Sequence, residues 1–296
     1  MSIKQLIDAQ KGNLALLVGN GINRHGNLAN TNSWSDLLIA LAKKHIDPST
    51  RHIPTGVSLT EFYDLLELAD DSTGTSRLLQ EEFCAPMRKW IPDTHHKAIT
   101  KWAIAAGCPI LTTNFDRVLS LAANARLFSL PGLRFTDYYP WNTYFGLEQL
   151  DRPTTGFGIW HVNGTINYRR SIRLGLTHYM GSVARARAWL HRRDASGLFR
   201  GRDANGWSGS STWLHIIFNR PMLIFGLSLE ENEVFLRWLL IERAKYFKKF
   251  PNLRQECWYA DVGKVSSGKS YFLESVGIRL LRVHSFDEIY SHRVWA

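Results

Sequence analysis

Residues 110–116 read Ile110-Leu111-Thr112-Thr113-Asn114-Phe115-Asp116, an apolar run that stops on an amide and a carboxylate. Strand interiors favour β-branched and apolar residues, whereas Asn and Asp favour loops. The stretch therefore predicts a strand with polar side chains at its carboxyl end, which is where open α/β sheets bind ligands. Three other segments repeat the design. The apolar residues 14–18 lead to Gly19-Asn20-Gly21-Ile22-Asn23, residues 158–160 lead to His161-Val162-Asn163-Gly164, and Met222–Phe225 leads to Gly226-Leu227-Ser228. Four strand ends of this kind predict one cleft lined by polar tips.

Helical patterns alternate with these strands. Trp34, Leu37, Leu38 and Leu41 recur at helical spacing over 33–45, with Ser33 as N-cap and Asp36 at capping-box spacing. Further helices are expected at Leu59–Ala69, 77–90 and 94–105, a helix-rich block between the first strand and the strand at 110. A helix over 116–124, an aromatic loop over 138–145 and an arginine-rich helix follow. A long helix over 230–246 comes next, opened by the acids Glu230 and Glu231 and by Asn232, which suit a helix start. Last come a strand at 256–260, a helix at 271–275 and a strand at 278–283. The glycine-rich stretch 196–211 reads as a loop.

Composition bounds the class. The chain has 296 residues, 45% of them hydrophobic, which suits a single packed α/β domain. It contains no apolar run of bilayer length and no signal-peptide core at its start, so a cytoplasmic protein without a membrane partner is expected. Cys84, Cys108 and Cys257 are odd in number and far apart, so neither a disulfide framework nor a Cys-x-x-Cys metal site is expected. The net charge is +10. Much of it lies in a strip formed by Arg169, Arg170, Arg173, Arg185, Arg187, Arg192, Arg193, Arg200 and Arg202. Such a strip suits an acidic partner, a dinucleotide's phosphates or, less favoured, nucleic acid; its plain alternative is a solvated helix face.

Taken in order, Gly19-Asn20-Gly21, Thr112-Thr113-Asn114-Phe115-Asp116, the segment from His161 to Gly164, and Gly226-Leu227-Ser228 resemble the SIR2 family, specifically the SIR2-like domains of bacterial anti-phage defence proteins. The resemblance spans nearly the whole chain. It implies a Rossmann-like α/β fold, mostly parallel with helices on both faces and with an inserted helical subdomain at about 45–108. It further implies that the single domain 1–296 binds NAD as substrate and breaks its nicotinamide–ribose bond.

The residues suit that chemistry unevenly. Gly19 and Gly21 let a backbone approach phosphates, although Arg24 replaces the third glycine of the dinucleotide fingerprint. Cleavage of an N-glycosidic bond passes through an oxocarbenium-like state, which gains from groups that fix the ribose hydroxyls and a water. The resemblance gives Asn114 that role, and gives Asp116 the nicotinamide carboxamide; the local alternative is an Asx-turn with Asp116 as N-cap. His161 is the candidate base, yet the family's histidine directly precedes the glycine, where this chain has Asn163. On a strand His161 and Asn163 would share a face. Asn20, Ile22, Asn23, Thr113, Asn163, Gly226 and Ser228 complete the expected NAD contacts.

A rival pattern is present. Residues 263–270, Gly-Lys-Val-Ser-Ser-Gly-Lys-Ser, match a P-loop between a strand and a helix. No strand ending in a Mg²⁺-binding Asp follows, so nucleotide hydrolysis ranks below NAD cleavage. A SIR2-like module that binds NAD or ADP-ribose without turnover is the other alternative, and NAD-dependent deacylation is disfavoured by the missing zinc cysteines. A constitutive NADase would kill its host, so a homo-oligomer, a separate sensor or activator protein, or both, are expected to gate it. The arginine strip and the aromatic loop are the candidate docking surfaces.

Overall fold

A computed structural model describes residues 1–26, 33–69, 75–132, 139–200, 205–231 and 233–296. Tyr138, Arg202 and Asn232 lie outside them. In chain order the elements are α1 (Ile3–Ala9), β1 (Ala15–Val18), α2 (Gly21–Arg24), α3 (Trp34–His45), α4 (Leu59–Ala69), α5 (Thr75–Cys84), α6 (Thr94–Ala105), β2 (Ile110–Thr112), α7 (Val118–Ala122), β3 (Arg126–Ser129) and β4 (Thr143–Gly146). They continue with β5 (Ile159–His161), α8 (Leu176–Leu190), α9 (Leu214–Asn219), β6 (Met222–Phe225), α10 (Val234–Lys249), β7 (Cys257–Val262), α11 (Ser267–Ser275), β8 (Arg279–Val283) and α12 (Asp287–Tyr290).

One eight-stranded sheet runs in the order β3-β4-β5-β2-β1-β6-β7-β8. It is parallel from β5 to β8, and β4 and β3 add an antiparallel edge. Its central strands are almost wholly apolar, broken only at their ends by Thr112 and His161, because both faces are covered. Ala15 and Leu17 enter one core with Leu111, Trp160 and Ile224, under α8 to α11. Leu14, Leu16 and Val18 enter the other with Ile110, Ile159 and Phe225, under α1, α6, α7 and α12. The fold is therefore an α/β fold with a mostly parallel sheet and helices on both faces.

Helices α3, α4 and α5 contribute to a third core, in which Leu38, Tyr63 and Phe83 close over Phe115. Helix α6, by contrast, packs Ile99 and Trp102 against the sheet. The expected helix over 77–90 ends at Cys84 and a 3-10 turn takes over at Pro86–Lys89, since proline lacks the N–H that a continuing helix needs. Helix α3 keeps Ser33 as its N-cap, accepting from the Asp36 amide at 3.1 Å, but the Asp36 carboxylate takes the Ser33 hydroxyl instead of closing a capping box. The aromatic stretch is not a free loop. Tyr144 and Phe145 belong to β4 and are buried, while Trp141 stacks on Trp213 at 5.5 Å.

Register lines up the four motifs. Val18 pairs with Thr112 and Phe225, and Thr112 pairs with His161. The chain thus leaves the sheet at one level after β1, β2, β5 and β6. From β1 it passes to β2 on one side, and from β6 to β7 on the other. The loops after β1 and β6 therefore diverge, and this switch point is where such sheets open a crevice.

Candidate active site

The crevice is present, as a cavity of about 420 Å³. Of the expected residues, Asn20, Gly21, Thr113, Gly226 and Ser228 line it, and Trp34, Glu233, Asp261 and Tyr290 add side chains not anticipated from sequence. Gly19, Ile22, Asn23, Asn114, Asp116, His161 and Asn163 are not among its lining residues.

The glycines answer first to each other. The Gly19 amide donates to the Phe225 carbonyl at 3.0 Å and the Gly21 amide to the Gly226 carbonyl at 2.7 Å. A Cβ on Gly19 would fall 2.4 Å from the Gly226 oxygen, and one on Gly21 would fall 2.7 Å from the Gly226 Cα. Gly226 itself has φ +65°, which L side chains avoid. Close approach of two loops thus demands these glycines, and the Gly19 and Gly21 amides are both engaged between the ends of β1 and β6. Because backbone cannot give way cheaply, Gly19→Ala should cost about 1–3 kcal/mol or more and lower Tm by several degrees. Gly268, inside α11 with open space around it, is the control, and Gly268→Ala should leave Tm level or raise it. Equal melting of Gly19→Ala and wild type would overturn this packing.

Asn23 and Asp116 are network residues. The His96 ring nitrogen Nδ1 accepts from the Asp93 N–H at 3.1 Å, so Nε2 donates to Asn23 Oδ1 at 3.1 Å. Asn23 Nδ2 then donates to Asn20 Oδ1 at 2.9 Å and to Asp116 Oδ2 at 2.8 Å. Asp116 Oδ1 accepts from the Val118 amide at 2.8 Å, an Asx-turn that opens α7, whose N-cap is Arg117. Both Asp116 oxygens are therefore engaged, and burial raises its pKa against the pull of those hydrogen bonds. The Ile22 side chain lies in the core, and its carbonyl accepts from His95 Nε2 at 2.7 Å. Burial pushes His96 down to about 3, keeping it neutral in this chain of bonds. Sequence gave no warning of His95 and His96, 73 residues from their partners.

A different state prevails at the ends of β2 and β5. His161 Nδ1 lies 2.7 Å from the Asn114 carbonyl, an acceptor only, so Nδ1 carries the hydrogen and Nε2 keeps a lone pair. Burial lowers the His161 pKa to about 4, the bond to Asn114 opposing. Asn114 Nδ2 reaches the Gly19 carbonyl at a long 3.4 Å. Among the described residues Asn114 Oδ1, His161 Nε2 and both Asn163 side-chain ends are buried without a hydrogen-bond partner. Strand β5 ends at His161, so Asn163 belongs to the following turn and the shared-face expectation does not reach it. That turn is fixed by Gly164, at φ +97°, where a Cβ would sit 2.1 Å from the Ser171 oxygen.

Three sequence features take other parts. Lys269 of the P-loop pattern is buried, its Nζ 3.2 Å from Asp261 Oδ2 and 3.4 Å from Glu230 Oε1. The arginine strip is broken up: Arg169 pairs with Glu81, Arg173 lies over the Tyr139 ring at 4.9 Å, and Arg192 binds Asp194 at 2.9 Å. Among the described residues, no helix is long and apolar enough to cross a membrane. No protein-family model matches the chain, and no curated protein matches it either.

Proposed function

We propose that this protein is a SIR2-like NAD hydrolase that splits NAD into nicotinamide and ADP-ribose, acting in the cytoplasm as an effector of anti-phage defence. In this reading the sheet is a Rossmann-like core and the block at about 45–108, with α4 and α5 in it, is the inserted helical part. The observation that carries it is the set of orphaned polar atoms on Asn114, His161 and Asn163. A buried polar group left unpaired costs about 1–3 kcal/mol, and native folds keep few of them. Three residues on two neighbouring motifs that keep theirs, beside a switch-point crevice, suit a substrate whose ribose hydroxyls and attacking water complete the bonds. Asn114 would hold the ribose and the water without bringing charge. His161 Nε2, with its lone pair free at neutral pH, would accept from a hydroxyl. Gly226, Ser228, Thr113 and Asn20 would line the path of the dinucleotide.

Turnover requires the enclosed ends of β2 and β5 to meet the substrate, and that opening is the step that self-assembly or a second protein would control. A binding module without turnover is the second reading, favoured by two observations. Asn163 stands where the resembled family has histidine, and Asp116 is fully engaged. Nucleotide hydrolysis at 263–270 draws little support, because Lys269 Nζ is held between two carboxylates. Parallel thermal-shift and nicotinamide-release assays with NAD separate the two main readings. A shift with release supports the hydrolase; a shift without release selects the binding module.

A further inference from the structure

Glu233 is the N-cap residue of α10, yet its carboxylate caps nothing. It is half-buried, lines the crevice, and meets no hydrogen-bond or ion-pair partner among the described residues. The segment leading to it carries two left-handed residues, Gly226 at φ +65° and Leu229 at φ +51°. Left-handed backbone at a leucine costs about 1–2 kcal/mol, and such strain gathers where a fold must aim a group. The loop is held in place by Arg237, which donates to the Leu229 carbonyl at 3.1 Å, and by the Tyr259 hydroxyl, which donates to the Leu227 carbonyl at 2.7 Å.

The charged and titratable groups around Glu233 do not neutralise it. Tyr179 on α8 is a neutral phenol, held protonated by burial and by the nearby Glu233 charge. Asp261 on β7 is acidic and already holds Lys269 of α11, which also binds Glu230. Arg24 on α2 and Tyr290 on α12 line the same crevice without bonding to it.

We propose that Glu233 is a further catalytic residue of this crevice, the group that takes the proton from the attacking water. The proposal rests on the NAD-hydrolase reading. In the step, a water oxygen bonds to the ribose carbon C1′ as the bond from C1′ to the nicotinamide nitrogen breaks. The bonding pair leaves with that nitrogen, giving neutral nicotinamide, and the water's proton passes to the Glu233 carboxylate. No oxidant or further reactant is needed. Burial without a counter-charge raises the Glu233 pKa to about 7, matched to proton transfer at neutral pH. His161, pushed down to about 4, lies outside the crevice lining and holds a proton poorly.

The test is the pH profile of nicotinamide release by concentrated protein in excess over NAD, for wild type, Glu233→Gln and Glu233→Asp, with NAD affinity measured separately by equilibrium binding. Wild type should rise through about pH 7 to a plateau. Glu233→Gln should lose that inflection and about 10²-fold or more of the plateau rate while binding NAD as before, and Glu233→Asp should recover part of the rate. Glu233→Ala replaces Glu233→Gln if the latter does not fold. A Glu233→Gln protein with the wild-type rate and inflection overturns the role of Glu233 and leaves the hydrolase reading standing. A wild type that binds NAD but releases no nicotinamide at any pH overturns both.

Discussion

Asn114→Ala should abolish nicotinamide release, lowering the rate by about 10²-fold or more, as the loss of one oriented hydrogen-bonding group does, while the protein remains folded. The geometry separates the two effects. The backbone of Asn114 does the structural work: its amide donates to Thr112 Oγ1 at 3.1 Å and its carbonyl accepts from His161 Nδ1 at 2.7 Å. Alanine keeps both bonds. The side chain gives the fold only a 3.4 Å contact with the Gly19 carbonyl, and its Oδ1 has no partner. Removing an unpaired buried oxygen relieves a desolvation cost, so the net change in stability should stay within about 1 kcal/mol. Circular dichroism and Tm would check the fold, and nicotinamide release the chemistry. A folded Asn114→Ala protein with wild-type turnover would remove Asn114 from the mechanism.

The second large effect concerns His161 and Asn163. Loss of His161 removes the free Nε2 and also the bond that fixes the Asn114 peptide, so His161→Ala should silence release, a loss of about 10²-fold or more, as for an oriented hydrogen-bonding group. Asn163 is fixed by its backbone, whose carbonyl accepts from the Arg173 amide at 2.9 Å. Its side chain is unpaired, so Asn163→Ala should only weaken release. If the histidine position of the resembled family is what counts, wild type should be slow and Asn163→His should accelerate it. Equal rates in His161→Ala, Asn163→Ala and wild type would mean that neither side chain takes part.

How much of this was legible in the sequence depends on what each residue packs against. The four strand ends are readable because β1, β2, β5 and β6 feed a core on each face and so stay apolar up to their last residues. Strand β3 was missed: at the sheet edge, Arg126 to Ser129 is largely exposed and shows no such run. The aromatics of 138–145 read as a loop because nothing local shows that Trp141 stacks on Trp213 or Tyr144 on Trp160. Pro86 did mark the end of α5, and the helix expected over 77–90 overran it.

The candidate site divides in the same way. Asn114, His161, Gly226 and Ser228 stood out as polar or small residues at the ends of apolar runs. The engagement of Asp116 by Asn23, and of Asn23 by His96, joins residues 93 and 73 positions apart and leaves no local trace. Glu233 was hidden among the acids of 230–233, which suit a helix start. Only its place in the crevice, without a capping bond, sets it apart from Glu230, which pairs with Lys269.

The most direct measurement is nicotinamide release from NAD by the purified protein, quantified against ADP-ribose over a wide range of protein concentration. Equimolar nicotinamide and ADP-ribose are expected, with a specific rate that is low in dilute protein and rises as the chain self-associates or meets its activating partner. NAD that binds yet stays intact at every protein concentration, with and without partner extract, would contradict the hydrolase. Full specific activity in a dilute, demonstrably monomeric sample would contradict the gating.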